Sequence, residues 1–145
     1  MNKTNADNQA GWLLVFAACT LVLIATLGSL FFSEVMTVPV CKLCWYQRIA
    51  LYPLVVILPF GLFPFDLRVL RIAGVFVAGG WLIGLFQLLV IAGVIPESIQ
   101  PCIQGIPCSD THIALFGFLN IPTLSFLAFS LISALLYFAY RTKTP

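Results

Sequence analysis

Apolar residues fill this chain in four long blocks, and the segments between them are short. The first block runs Trp12 to Ser33, the second about Ile49 to Phe65, the third Ile72 to Ile95. The fourth runs about Ile113 to Tyr140, with its firmest part after Ile121. None of the four contains an Asp, Glu, Lys or Arg. A bilayer core is crossed by about 20 helical residues, with a range of about 17–25, and each block meets that length. Backbone groups in lipid must pair within their own segment, so each block predicts a helix. Strands of a membrane barrel would alternate polar and apolar residues, and these blocks do not. The expected fold class is an all-α integral membrane protein: one four-transmembrane-helix bundle, a single domain over residues 1–145.

Details inside the blocks fit packed membrane helices. Block three carries Gly74, Ala78, Gly80 and Gly84, small residues that let backbones approach. They predict packing inside the bundle rather than a dimer face. Pro53 and Pro59 predict a kink in block two. Trp12, Trp45, Tyr46, Tyr137 and Tyr140 fall near the block ends, as an interfacial aromatic belt would. Block one outlasts the roughly 7–15 residues of a secretory signal core. The tract Phe16-Ala17-Ala18-Cys19 is therefore read as uncut helix, with Cys19 a buried small hydrophobe.

Composition and charge sharpen the class and give it an orientation. Of the 145 residues, 61% are hydrophobic and 8% charged, with net charge +2. A soluble domain carries roughly 25% charged residues. Disorder needs low hydrophobicity and high charge, and a nucleic-acid binder needs a basic footprint. All three classes are excluded. Lys3, the pair Arg68 and Arg71, and the pair Arg141 and Lys143 fall on one side of the bundle, against Lys42 and Arg48 on the other. The positive-inside rule then predicts N-in, C-in. Two outer loops follow, roughly Glu34 to Cys44 and roughly Pro96 to His112. Asp7, Glu34, Asp66, Glu97 and Asp110 all lie outside the blocks. A proton-coupled exporter would want an acid within the membrane, which argues against that reading.

Four of the five cysteines fall in those outer loops: Cys41 and Cys44 as Cys-Lys-Leu-Cys at the mouth of span two, Cys102 and Cys108 in the second loop. Two pairs confined to the oxidising side argue for disulfide chemistry. Two residues between cysteines is the redox-dithiol spacing. Cys44 stands where span two begins, where unpaired N–H groups and the positive helix end favour a thiolate. Arg48 follows one turn on, on the same face. A permanent cation at the lipid boundary is costly unless it serves a thiolate or an electron-rich ligand. Its guanidinium also stacks on flat rings. Snorkelling to headgroups is the plainer use of such a residue. Cys44, Arg48 and nearby aromatics thus outline a site for a thiolate and a planar cofactor. A Cys41–Cys44 ring is small, adds only about 2 kcal/mol by loop entropy and strains easily. Strained, exposed disulfides are labile. Cys102 and Cys108 could equally brace their Pro- and Gly-rich loop, or receive an incoming thiolate. Zinc held by the four cysteines, with His112 the lone histidine, is disfavoured by the Cys-x5-Cys spacing.

The run Cys41-Lys-Leu-Cys-Trp-Tyr-Gln-Arg48, a later cysteine pair and four spans together resemble the disulfide bond formation protein B (DsbB) family over about Trp12 to Tyr140. Gly105-Ile-Pro-Cys-Ser, Phe116-Gly-Phe and Ile121-Pro122 are similar to its Gram-positive, thiol-disulfide oxidoreductase C-like branch. Membrane vitamin K epoxide reductases share a four-helix core, but their loop cysteines precede the Cys-x-x-Cys. The resemblance implies a quinone cofactor, menaquinone or ubiquinone. It also implies a partner, an extracytoplasmic thioredoxin-like thiol oxidase resembling DsbA, and residence in a bacterial plasma membrane. By motif match, Cys102 takes a mixed disulfide with the partner and Cys108 leaves. Cys41 then exchanges with the loop pair, and Cys44 passes electrons to the quinone beside Arg48. The contrasting expectation is a structural tetraspan protein whose outer disulfides only brace its loops.

Overall fold

The computed structural model describes residues 3–35, 37, 42–63, 66–95 and 121–143. They form α1 (Lys3–Leu30), which widens into a π-helical turn at Phe31–Val35, then α2 (Lys42–Leu62), α3 (Leu67–Ile91) and α4 (Ile121–Lys143). No strand occurs among the described residues. At 1.5 Å per residue, the shortest, α2 with 21 residues, is about 31 Å long, enough for a bilayer core of about 30 Å. All four are long and apolar enough to cross a membrane. The protein is an all-α, four-span bundle, as its apolar blocks require.

The helix ends differ from the block ends for local reasons. α2 starts at Lys42, ahead of the apolar block at Ile49, because its first two turns carry polar side chains on helical backbone. α3 starts earlier than Ile72 because Asp66 caps it, accepting from the Arg68 backbone N–H at 2.9 Å. It stops at Ile91 rather than Ile95 in a Schellman turn. There Gly93 takes φ +74, donating to Val90 O at 3.0 Å while Val94 donates to Leu89 O at 3.1 Å. The 113–120 portion of block four lies outside the described residues.

The helices form a ring in chain order: α1 packs on α2, α2 on α3, α3 on α4, and α4 closes on α1. Val22, Leu54, Leu58, Val77, Phe129 and Ile132 meet at its centre. The outward faces remain apolar, with Leu27, Ile49, Val56, Phe60, Val75 and Leu131 exposed. Such a surface suits hydrocarbon and not water. Gly80 and Gly84 are buried, and a Cβ on Gly80 would collide with the Phe129 ring. Gly80 and Gly84 therefore seat α4 inside the bundle, as expected of the stripe, whereas Gly74 has nothing within 4 Å of its Cβ position and Ala78 is exposed. α2 runs through both Pro53 and Pro59. Cys19 is half-buried against the core, in keeping with a small packed hydrophobe.

Candidate functional site

Cys44 lies in the first turn of α2, where backbone N–H groups have no helical acceptor and the dipole is positive. One turn on, at the i+3 and i+4 positions that share its face, stand Gln47 and Arg48. All three line one cavity of about 330 Å³ between α1, α2 and α4. Around these polar groups the wall is mostly carbon, including Leu21, Ile24, Phe32, Ile121, Leu124 and Phe129. Its volume falls within the range of about 300–1,000 Å³ of small-molecule sites.

Arg48 does not extend outward to snorkel. It is half-buried and reaches across to α1, where Nε donates to Ser29 Oγ at 2.7 Å and Nη2 to the Ser29 carbonyl at 2.6 Å. Ser29 comes just before the π-turn at Phe31–Val35. A π-turn shifts the backbone ladder from i−4 to i−5 acceptors and is frequent at functional sites. The guanidinium carbon also lies 5.8 Å from the centroid of Trp45, within cation–π range. The guanidinium thus meets an aromatic ring of its own helix.

Two buried carboxamides complete the surroundings. Gln47 is 4% exposed; its Oε1 accepts from the Ser125 hydroxyl of α4 at 3.0 Å. Its Nε2 is buried with no hydrogen-bond partner among the described residues. Gln87 of α3 is fully buried, and its Nε2 donates to Cys44 Sγ at 3.5 Å. Gly84 makes room for the first of these: a Cβ there would sit 2.9 Å from Gln47 Nε2 and 3.3 Å from Phe126 Cδ2.

The structure thus brings Cys44 and Arg48 onto one cavity. Cys41, Cys102, Cys108 and His112 lie outside the described residues. Among the described residues, no three His, Cys, Asp or Glu side chains gather. Reading the sequence alone passed over Ser29, Gln47, Ser125 and Gln87. Gln87 left a trace: it is the one carboxamide in the third apolar block, and an amide held in such a setting needs a partner. Ser29 and Ser125 left none, since serine is common in packed membrane helices.

A flat apolar cofactor with oxygen acceptors can be tested against these groups. The cavity wall is apolar, Arg48 carries N–H groups beyond the two spent on Ser29, and Gln47 Nε2 is an orphaned buried donor. The residues present fit a quinone.

Known proteins resemble this chain over most of its length. Residues 8–139 match the model of the family described as disulfide bond formation protein DsbB. The chain is 43% identical over 120 residues to a probable disulfide formation protein C 2 of Bacillus cereus, covering 83% of this chain and 86% of that one. It is 43% identical over 122 residues to disulfide bond formation protein C of Bacillus subtilis, covering 81% and 86%. A probable disulfide formation protein of Metapseudomonas resinovorans is 38% identical over 135 residues, covering 92% and 94%. No solved structure matches.

Proposed function

The chain belongs to the DsbB family of disulfide bond formation proteins, and from that premise we propose that it reoxidises an extracytoplasmic thioredoxin-like thiol oxidase and passes the electrons to a membrane quinone. The observation that carries this reading is the shared cavity. Cys44, Arg48 and Gln47, whose Nε2 is a buried donor with no partner among the described residues, line one apolar cavity inside a membrane bundle.

The chemistry divides between two cysteine pairs. A thiolate of the reduced partner attacks Cys102, forms a mixed disulfide and displaces Cys108 as a thiolate. The partner's second thiol resolves that bond, leaving the partner oxidised and Cys102 and Cys108 reduced. One of these thiolates then attacks Cys41, and Cys44 leaves. When the loop pair closes into its own disulfide, Cys41 and Cys44 hold the two electrons. Bound in the cavity, a quinone supplies the acceptor for two electrons and two protons.

Arg48 and Gln47 would hold the acceptor's oxygens, and Arg48's positive charge favours the Cys44 thiolate. Ser29 fixes the direction of the guanidinium, and Trp45 covers it. The carbon wall lowers the local dielectric, in which these charges act more strongly. The redox cysteines face the outside of a bacterial plasma membrane in this reading, and either menaquinone or ubiquinone fits the chemistry.

The test is oxidation of a reduced thioredoxin-like partner by the purified protein, with and without added quinone. Turnover that requires quinone is the expected result. Quinone-independent turnover, or none, would overturn the reading and leave a structural tetraspan protein.

A further inference from the structure

Cys44 has a second neighbour that the proposed chemistry has not used. Resting on the reading of Cys44 as the sulfur that faces the acceptor, we infer that Gln87 is the donor that positions this sulfur and stabilises its thiolate. Gln87 is fully buried on α3, and its Nε2 lies 3.5 Å from Cys44 Sγ. α3 contributes nothing to the cavity wall, which comes from α1, α2 and α4. Cys44 therefore joins two settings, lining the cavity as a residue while its sulfur accepts from Gln87. The amide thus reaches the sulfur from α3, a helix that does not line the cavity.

The choice of a carboxamide has a chemical consequence. A buried amide is costly in an apolar bundle unless it is hydrogen-bonded. Its N–H bonds more strongly to S⁻ than to S–H, because a charged acceptor shortens and strengthens the bond. That difference favours the ionised form. Gln87 is neutral, so it does this without carrying a charge or competing for the proton. Arg48 spends its described hydrogen bonds on Ser29. Gln87 is thus a short-range donor to the sulfur, while Arg48 acts by charge.

The role matters at one step. When an incoming thiolate bonds to Cys41 Sγ, the Cys41–Cys44 bond breaks and its electron pair stays on Cys44 Sγ. No proton moves in that step. Thiolates that are better stabilised leave faster, and the Gln87 N–H faces the sulfur that receives the charge.

The experiment uses full-length protein freed of quinone, with Cys19, Cys41, Cys102 and Cys108 replaced by serine so that Cys44 is the one thiol. Its alkylation by iodoacetamide is followed against pH. Gln87→Met, which keeps bulk and removes the donor, should move the midpoint up by about one pH unit, a tenfold loss of thiolate at fixed pH. Gln87→His, which restores an N–H at similar reach, should recover at least half of that shift. A midpoint unchanged in a folded Gln87→Met protein overturns the inference. If that variant does not fold, the parent protein decides the matter with ¹⁵N-labelled glutamine. The Gln87 side-chain amide resonance should titrate with the Cys44 alkylation midpoint, and a resonance that ignores it overturns the inference. Neither readout involves quinone or partner, so failure here is distinct from failure of the quinone-dependent assay.

Discussion

Arg48 and Ser29 lie nineteen residues apart on different helices and are joined twice, Nε to the hydroxyl at 2.7 Å and Nη2 to the carbonyl at 2.6 Å. The two hydrogen bonds fix the plane of the guanidinium as well as its position. A planar fork is needed for that, and lysine's ammonium cannot supply one. The expected outcome is graded. Arg48→Lys should weaken quinone binding about tenfold, equivalent to about 1.4 kcal/mol, as measured by titration of the purified protein. Ser29→Ala removes the hydroxyl but not the carbonyl, so its loss should be smaller, about threefold, within the range of one ordinary hydrogen bond. Equal affinity in wild type and Arg48→Lys would show that charge alone suffices.

The glycines of α3 separate packing from site effects. At Gly80 an added Cβ strikes the buried Phe129 ring, and overpacking of this kind costs about 1–3 kcal/mol. At Gly84 it would sit 2.9 Å from Gln47 Nε2, the end of a side chain that can shift. Gly80→Ala should therefore lower the melting temperature in detergent, while Gly84→Ala should mainly weaken quinone binding by displacing Gln47. Gly79 has nothing within 4 Å of its Cβ position. Gly79→Ala should leave both properties intact or gain up to about 1 kcal/mol of helix stability. Identical melting curves for all three would contradict the assignment of Gly80 to the α3–α4 contact.

The bundle was legible because lipid imposes a single rule. Four blocks without charges, each long enough to cross, leave little besides four helices. Helix ends were less legible because they depend on single contacts. Asp66 extends α3 backward and Gly93 stops it before Ile95, neither of which a hydropathy block records. Cys44 and Arg48 were legible as a pair because their spacing puts them on one helical face. Their partners were not, since Ser29 on α1 reaches Arg48, and Gln87 on α3 reaches Cys44, only after the ring closes; the same holds for Ser125 on α4, which reaches Gln47. Arg48 shows the difference in kind. Its sequence position suggested either a functional cation or a snorkelling one, and the grip on Ser29 decides in favour of a fixed one.

Charge placement makes an independent prediction about sidedness. Arg68 and Arg71 lie at the opposite end of the bundle from Cys44, where Arg71 sits 5.8 Å from the Tyr140 ring and donates to its hydroxyl at 3.3 Å. The positive-inside rule puts that end in the cytoplasm. A cysteine introduced at Arg68 should react with a membrane-impermeant maleimide only after cells are permeabilised. Cysteines of the Cys41 loop, once reduced, should react in intact cells. The reverse pattern would invert the orientation and remove the extracytoplasmic partner from consideration.

The proposed two-pair relay assigns unequal tasks to its cysteines, and single substitutions expose the inequality. Cys44→Ser leaves the second loop able to accept electrons from a reduced partner once, and then blocks their exit. It should abolish quinone reduction while permitting a single stoichiometric oxidation of the partner. Cys102→Ser acts at the other end. It should leave quinone affinity unchanged, because Arg48, Gln47 and the apolar wall are untouched, yet stop partner oxidation from the first turnover. Stopped-flow mixing with reduced partner reads the first event, and quinone absorbance reads the second. If both variants instead lose a similar, modest fraction of each activity, electrons do not pass through the pairs in series, and the disulfides brace the loops rather than carry charge.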